Sequence, residues 1–356
     1  MLCGGSRASV HLWDHPHPPT LGLGGNVFWR SSFVLRPSSP RLQQQMKSSS
    51  RSHCKTPVPQ DCFRQGEDDP ELPIEGLSPV AGGIVALGKF DALHIGHREL
   101  AIQAARVGNP YLLSFVGMAQ VLGWKPRAPI VAKCDRKRVL SSWSSHCGNI
   151  APVEFEIEFA SVRHLNPQQF VEKLSRELRV CGVVAGENYQ FGYKASGDAT
   201  ELVRLCEEYG ISANIINSVM DKNQLCGIAK TEEYSKLKEK GQVSSTRVRH
   251  ALAAGDVRYV KELLGRPHRL ISTAKTRDIT NKGTISLQTS SLLNLPPGNG
   301  VYEDCSLIVI GDEKKHPISC KVIVDTLNLH IETKQVVEVR NSNGSQELLL
   351  LGIEFG

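Results

Sequence analysis

No stretch of about 18 uncharged apolar residues occurs in this 356-residue chain, which excludes a membrane-spanning helix. None of the ten cysteines forms a C-x-x-C pair, so neither a zinc site nor a thioredoxin-like motif is expected. Three (Cys3, Cys54, Cys62) precede the first apolar strand. The rest scatter, several in apolar runs such as Val180-Cys181-Gly182-Val183, and read as buried reduced thiols. Acids are almost missing from residues 1–60: Asp14 stands against seven basic side chains, with ten serines. A basic, Ser-rich, acid-poor leader without an apolar core is the composition of an organelle transit peptide, not of a secretory signal, and it leans towards the plastid. It is expected to be disordered. The leader accounts for the whole formal charge of +6, leaving 35 basic and 35 acidic residues elsewhere. That balance gives no reason to expect a nucleic-acid or anionic-membrane partner.

What remains is globular in composition, 40% hydrophobic and 22% charged, and long enough for two or three domains. Residues 61–80 are polar and Pro-containing and read as a linker. From residue 83 short apolar runs alternate with helical patterns. Strands are predicted at 83–88, 111–115, 181–185 and 211–216, and helices at 97–107, 166–179 and 198–209. Such alternation means α/β architecture, a parallel sheet covered by helices, with ligands at the carboxyl ends of the strands. The Lys-rich segment 220–242 reads as a mobile loop, and two helices follow near 245–254 and 256–264. Residues 269–355 hold only short β-rich runs, which predicts a small antiparallel barrel or sandwich as a separate domain.

Three segments carry chemistry. Gly88-Lys89-Phe90-Asp91-Ala92-Leu93-His94-Ile95-Gly96-His97 lies where a strand ends and a helix begins, a place of free backbone N–H groups and positive dipole. His94 and His97, three apart around Gly96, can point together at a phosphate. The stretch Val243-Ser244-Ser245-Thr246-Arg247-Val248-Arg249 opens a second helix; Ser245 and Thr246 can cap it and donate hydroxyls, and Arg249, a turn on, can share their phosphate. Gly186-Glu187-Asn188-Tyr189-Gln190-Phe191-Gly192-Tyr193 leaves another strand end. There Asn188 can read a base or phosphate, and Tyr189, Phe191 and Tyr193 either stack on a ring or pack the loop.

In order and spacing these segments, with A-L-A-A-G-D at 251–256 and L-L-G-R-P-H at 263–268, resemble the FAD synthetases, FMN adenylyltransferases of the nucleotidyltransferase superfamily. With the leader, the resemblance is to the plant plastid type. It implies a Rossmann-like nucleotidyltransferase domain over 81–268, then a riboflavin-kinase-like β-barrel over 269–356. The reaction it implies joins ATP and FMN, with Mg²⁺, into FAD and pyrophosphate. His94 and His97 would hold ATP phosphates, Ser245, Thr246 and Arg249 the β/γ end, and Asn188 the nucleotide. Gly88, Lys89, Phe90, Asp91 and Gly96 would form the binding turn. No dedicated metal ligands are expected, because Mg²⁺ favours phosphate oxygens and water.

The chain also departs from the bacterial pattern. Lys89 and Ala92 stand where bacterial members often have Asn and Gly, and Ser114–Ala119 replaces a T-F-x-P-H-P segment. Leu295-Pro296-Pro297-Gly298-Asn299-Gly300-Val301-Tyr302 is similar to a kinase-barrel segment, but residues 286–294 contain no P-T-A-N motif, so a barrel without kinase activity is expected. Two alternatives remain: an adenylyltransferase with another phosphorylated acceptor, and a non-enzymatic flavin-binding protein of the same fold. A tRNA synthetase, which also carries H-x-G-H, would need a K-M-S-K-S-type loop that the Lys-rich run does not supply.

Overall fold

A computed structural model describes residues 78–222, 241–275, 284–310, 316–333 and 348–356. The leader, the linker up to residue 77, and 223–240 of the expected loop lie outside them. The chain divides into Met1–Thr56 and a compact unit, Pro57–Gly356, that contains everything described below.

Strands β1 (Ile84–Leu87), β2 (Pro110–Val116), β3 (Val153–Glu158), β4 (Gly182–Gly186) and β5 (Ser212–Ile216) form one sheet in the order β3-β2-β1-β4-β5, every pair parallel. Successive side chains of β1 point to opposite faces. Ile84 and Ala86 enter one apolar core and Val85 and Leu87 the other, so the strand is buried on both sides, as a central parallel strand must be. The edge strand β3 is not in the alternation read above; its V-E-F-E-I-E pattern suits a half-buried strand.

Helix α1 (Ile95–Ala105) buries His97, Leu100, Ala101 and Ala104, one face at helical spacing, against the first core. The short α2 (Met118–Leu122), α3 (Arg136–Ser141) and α4 (Phe159–Val162) follow β2 and β3. Helix α5 (Pro167–Glu172) starts with a capping box between Asn166 and Gln169 and a proline in its first turn, then widens into a π-helical turn over Lys173–Glu177 instead of remaining α-helical to 179. Helix α6 (Ala199–Glu208) buries Leu202, Leu205 and Cys206 in the second core. Helices α7 (Ser245–Ala253) and α8 (Val257–Leu264) return to the first core through Val248, Ala251, Leu252, Val260, Leu263 and Leu264. Cys147, Cys206, Cys305 and Cys320 are buried, but Cys181 is exposed, because it precedes the strand whose apolar run suggested burial.

The rest of the chain is antiparallel. Strands β6 (His268–Lys275), β7 (Thr284–Gln288), β8 (Gly300–Ile310), β9 (Ile318–Val324), β10 (Asn328–Thr333) and β11 (Leu348–Phe355) form a sheet in the order β6-β11-β8-β9-β10-β7 around a third core. Residues just past β7 turn back to β6 through an isolated bridge, Ser272 to Leu292. Buried Asn294 ties this sheet to the α/β part. Its Nδ2 donates to Ile130 O and Arg269 O, each at 2.9 Å, and its Oδ1 accepts from Ile271 N at 2.8 Å.

Candidate active site

A cavity of about 410 Å³ opens beyond the carboxyl ends of β1, β4 and β5. Neighbours of β1 lead away in opposite directions here, which makes this the switch point where open α/β sheets bind ligands. Gly88 and Lys89 leave β1, Gly186, Asn188 and Tyr189 leave β4, and Ile216 to Val219 leave β5 into its wall. The amino ends of α1 and α7 complete it with His94, Gly96, His97 and Ser244, Ser245, Thr246. Both helices therefore aim free N–H groups and positive dipole ends at one volume.

His94 caps α1: its Nδ1 accepts from the His97 backbone N–H at 3.3 Å. The neutral ring therefore carries its proton on Nε2. The two imidazoles stack, centroids 3.6 Å apart at 16°, and both are buried. Gly96 permits this, since a Cβ there would lie 3.1 Å from His94 Cε1 and 3.2 Å from Nδ1. Burial first, and then the charge of Arg266, lowers the His94 pKa to about 4. His97 is also held well below its ordinary value, by burial and then by His94, Arg136 and Arg266. Both rings are thus neutral at pH 7, and the buried His97 Nδ1 has no hydrogen-bond partner.

On α7 the cap is Ser244, whose Oγ accepts from Arg247 N at 3.3 Å, not Ser245 or Thr246. Ser245 and Thr246 are the first helical residues and line the cavity. Across the opening Asn188 Nδ2 reaches Ser218 Oγ and Gln242 Oε1, both at 3.4 Å. Lys89 Nζ lies 5.5 Å from the ring centre of the half-exposed Trp124.

Arg249, Asp91 and Phe90 are not among the lining residues. Arg249 is engaged elsewhere: its Nη2 donates to Asp91 Oδ2 at 2.8 Å and to Ala128 O at 3.0 Å, and its Nε to Asp91 Oδ2 at 3.2 Å. Asp91 Oδ1 also accepts from Ile130 N. Phe90 is buried edge-on to His97, centroids 5.0 Å apart, and its carbonyl accepts from Arg136 at 2.8 Å. These three residues brace the 88–93 turn from behind. Of the loop aromatics, Tyr189 reaches the wall while stacking on Phe191; Phe191 is core and Tyr193 is exposed away from the cavity. Ser218 and Val219 enter the site although nothing in the sequence marks them beyond their position just after β5, and Gln242 enters it just before α7.

Among the described residues, none of those lining the cavity is a carboxylate, and no cluster of three or more potential metal ligands occurs.

A family profile described as FAD synthetase matches residues 79–228, and one described as the C-terminal domain of FAD synthetase 1/2 matches 267–356. FAD synthetase 1, chloroplastic, of Arabidopsis thaliana is 78% identical over 100% of both chains. The chain belongs to the FAD synthetase family. FAD synthetase 2, chloroplastic, from the same plant is 63% identical, again over 100% of both. The bifunctional riboflavin kinase/FMN adenylyltransferase of Escherichia coli K12 is 28% identical over 64% of this chain and 70% of its own. A crystal structure titled as a macrolide-efflux protein from Streptococcus pneumoniae shares the fold, with a TM-score of 0.57, 19% identity, and coverage of 77% of this chain and 84% of that one.

Proposed function

We propose that the chain transfers AMP from ATP to FMN in the plastid, giving FAD and pyrophosphate, with the triphosphate held between the amino ends of α1 and α7. As a member of the FAD synthetase family it is an FMN adenylyltransferase of the plant plastid kind. The observation that carries the assignment of the site is that His94, His97, Ser245 and Thr246, some 150 residues apart in sequence, line one cavity at the strand ends.

Mg²⁺, which favours phosphate oxygens and water, would be carried by ATP and would supply charge neutralisation at the phosphates. An oxygen of the FMN phosphate attacks the α-phosphorus, and the bond to the β-phosphate oxygen breaks. No protein nucleophile is needed, so catalysis is positioning plus neutralisation of charge growing on pyrophosphate. The Nε2–H of His94, the Ser245 and Thr246 hydroxyls and the helix N–H groups supply the donors. Lys89 at the mouth adds a positive charge, and Asn188, with Ser218 and Gln242, contacts the nucleotide. Gly88, Gly96, Phe90 and Asp91 shape the turn; Arg249 acts through Asp91.

Residues 81–268 form the catalytic domain in this reading, and 269–356 a riboflavin-kinase-like barrel that has lost kinase activity. The loss is supported by Thr289–Ser291, a 3₁₀ turn in the stretch 286–294 that lacks P-T-A-N. Incubating the protein with FMN, ATP and Mg²⁺ should yield FAD by chromatography, and riboflavin with ATP should yield no FMN. FAD formation from neither flavin would end the first claim, and FMN formation the second.

A further inference from the structure

The 88–93 turn is held by three arginines, Arg136, Arg249 and Arg266. The third, Arg266, follows α8 in the L-L-G-R-P-H segment and does not line the cavity at the strand ends. Among the described residues its guanidinium makes hydrogen bonds to carbonyls only: Nη1 donates to Leu93 O at 2.6 Å and Leu264 O at 3.2 Å, and Nη2 to Ala92 O at 3.1 Å. Two of these carbonyls immediately precede His94. Leu93 adopts φ +48°, a left-handed conformation that a branched side chain seldom takes unless its surroundings impose it. The approach of the chain to this turn is equally constrained. Gly265, at φ +67°, caps α8 so close to α1 that a Cβ would come within 2.9 Å of Ile95 Cγ2.

We propose that Arg266 is a positioning residue for adenylyl transfer: by tying the carbonyls of Ala92 and Leu93 to that of Leu264, it imposes the left-handed Leu93 and sets the His94–His97 pair in the cavity wall. The proposal rests on the reading of these histidines as phosphate-binding groups. Electrostatics agree with the geometry. Arg266 is the charge that, after burial, lowers the His94 pKa. The groups facing His94 are the His97 ring and Arg266, and those facing His97 are His94, Arg136 and Arg266. Arg266 in turn faces Arg138, Arg136 and Arg98 against Asp135, and burial is the main reason its own pKa falls to about 9. Among the described residues this cation bonds no carboxylate, and its fork of donors grips several carbonyls at once.

Two variants of the full chain test this, Arg266→Lys and Arg266→Met. The ammonium of Arg266→Lys keeps charge but cannot reproduce the fork. We expect its kcat to fall about tenfold or more while KM for FMN holds within about twofold, as misplaced reacting groups require. Arg266→Met removes the charge as well. The ring signal of His94 in NMR, assigned with H94Q, should stay flat down to about pH 5 in wild type and in Arg266→Lys, and should begin to titrate above it in Arg266→Met. Wild-type kcat in folded Arg266→Lys, or a His94 titration unmoved by Arg266→Met, overturns the proposal. If Arg266→Met does not fold, the split between kcat and KM in Arg266→Lys decides alone. If wild type forms no FAD, the functional reading fails, while the His94 titration still tests the grip of Arg266 on the turn.

Discussion

Replacing Gly96 with alanine separates the stability of the site from its chemistry. The added Cβ would stand 3.1 Å from His94 Cε1 and 3.2 Å from Nδ1, tighter than ordinary carbon contacts, so the imidazole must move by a few tenths of an ångström. That movement stretches the 3.3 Å bond from the His97 N–H to His94 Nδ1 and pushes the ring off its stack at 3.6 Å. Losing the cap costs about 1 kcal/mol, and an off-rotamer ring about another 0.5–1.5 kcal/mol. Against this, alanine in the first turn of α1 gains up to about 1 kcal/mol over glycine by restricting the unfolded chain. With the full gain the net change in stability is about 0.5–1.5 kcal/mol of destabilisation. The displaced imidazole, by contrast, no longer presents Nε2 where the phosphate oxygens develop charge, and kcat/KM for ATP should fall about ten- to a hundredfold. Thermal melting and steady-state FAD formation on one preparation read both quantities. Unchanged kcat/KM in Gly96→Ala, or a loss of activity explained by a melting temperature far below wild type, would refute the reasoning.

Other perturbations have equally definite outcomes. Asp91→Asn and Arg249→Ala break one bonded pair, so a double-mutant cycle on stability should show coupling of about 0.5–3 kcal/mol; simple additivity would contradict the brace. Asn294→Ala strands Ile130 O, Arg269 O and Ile271 N and should cost about 3 kcal/mol in denaturant unfolding, with FAD formation retained well below the midpoint. Burial lowers the pKa values of His94 and His268 to about 4 from an unfolded value near 6.5. The unfolded chain then binds more protons between these limits, so stability is full above about pH 6.5 and declines towards pH 4. Melting temperatures that rise on acidification through this window would show that these rings are not buried neutral.

The parallel sheet was legible because β1, β2, β4 and β5 are short apolar runs separated by helical patterns, and the histidine turn because it sits where such a run meets a helix. The edge strand β3 escaped because three of its six residues are glutamates, although their alternation with Val153, Phe155 and Ile157 is the period of a half-buried strand. The helix after Asn166 was legible in its start, fixed by local capping, but not in its widening, which no local signal marks. At the site the histidines and hydroxyls could be read from spacing. The partner of Arg249 could not: spacing places it one turn beyond Thr246, and the pairing of its guanidinium with Asp91, 158 residues away, is long-range. Long-range pairing of this kind, like the reach of Arg266 to Leu93, depends on tertiary packing that spacing does not encode.

The account stands on two helix amino ends sharing one triphosphate, and a structure of the protein with a non-hydrolysable Mg²⁺-ATP analogue and FMN tests it most directly. It predicts phosphate oxygens about 3 Å from His94 Nε2 and from the hydroxyls or backbone N–H groups of Ser245 and Thr246. Phosphates bound instead against the antiparallel sheet, with the histidine turn and the start of α7 left unengaged, would contradict it.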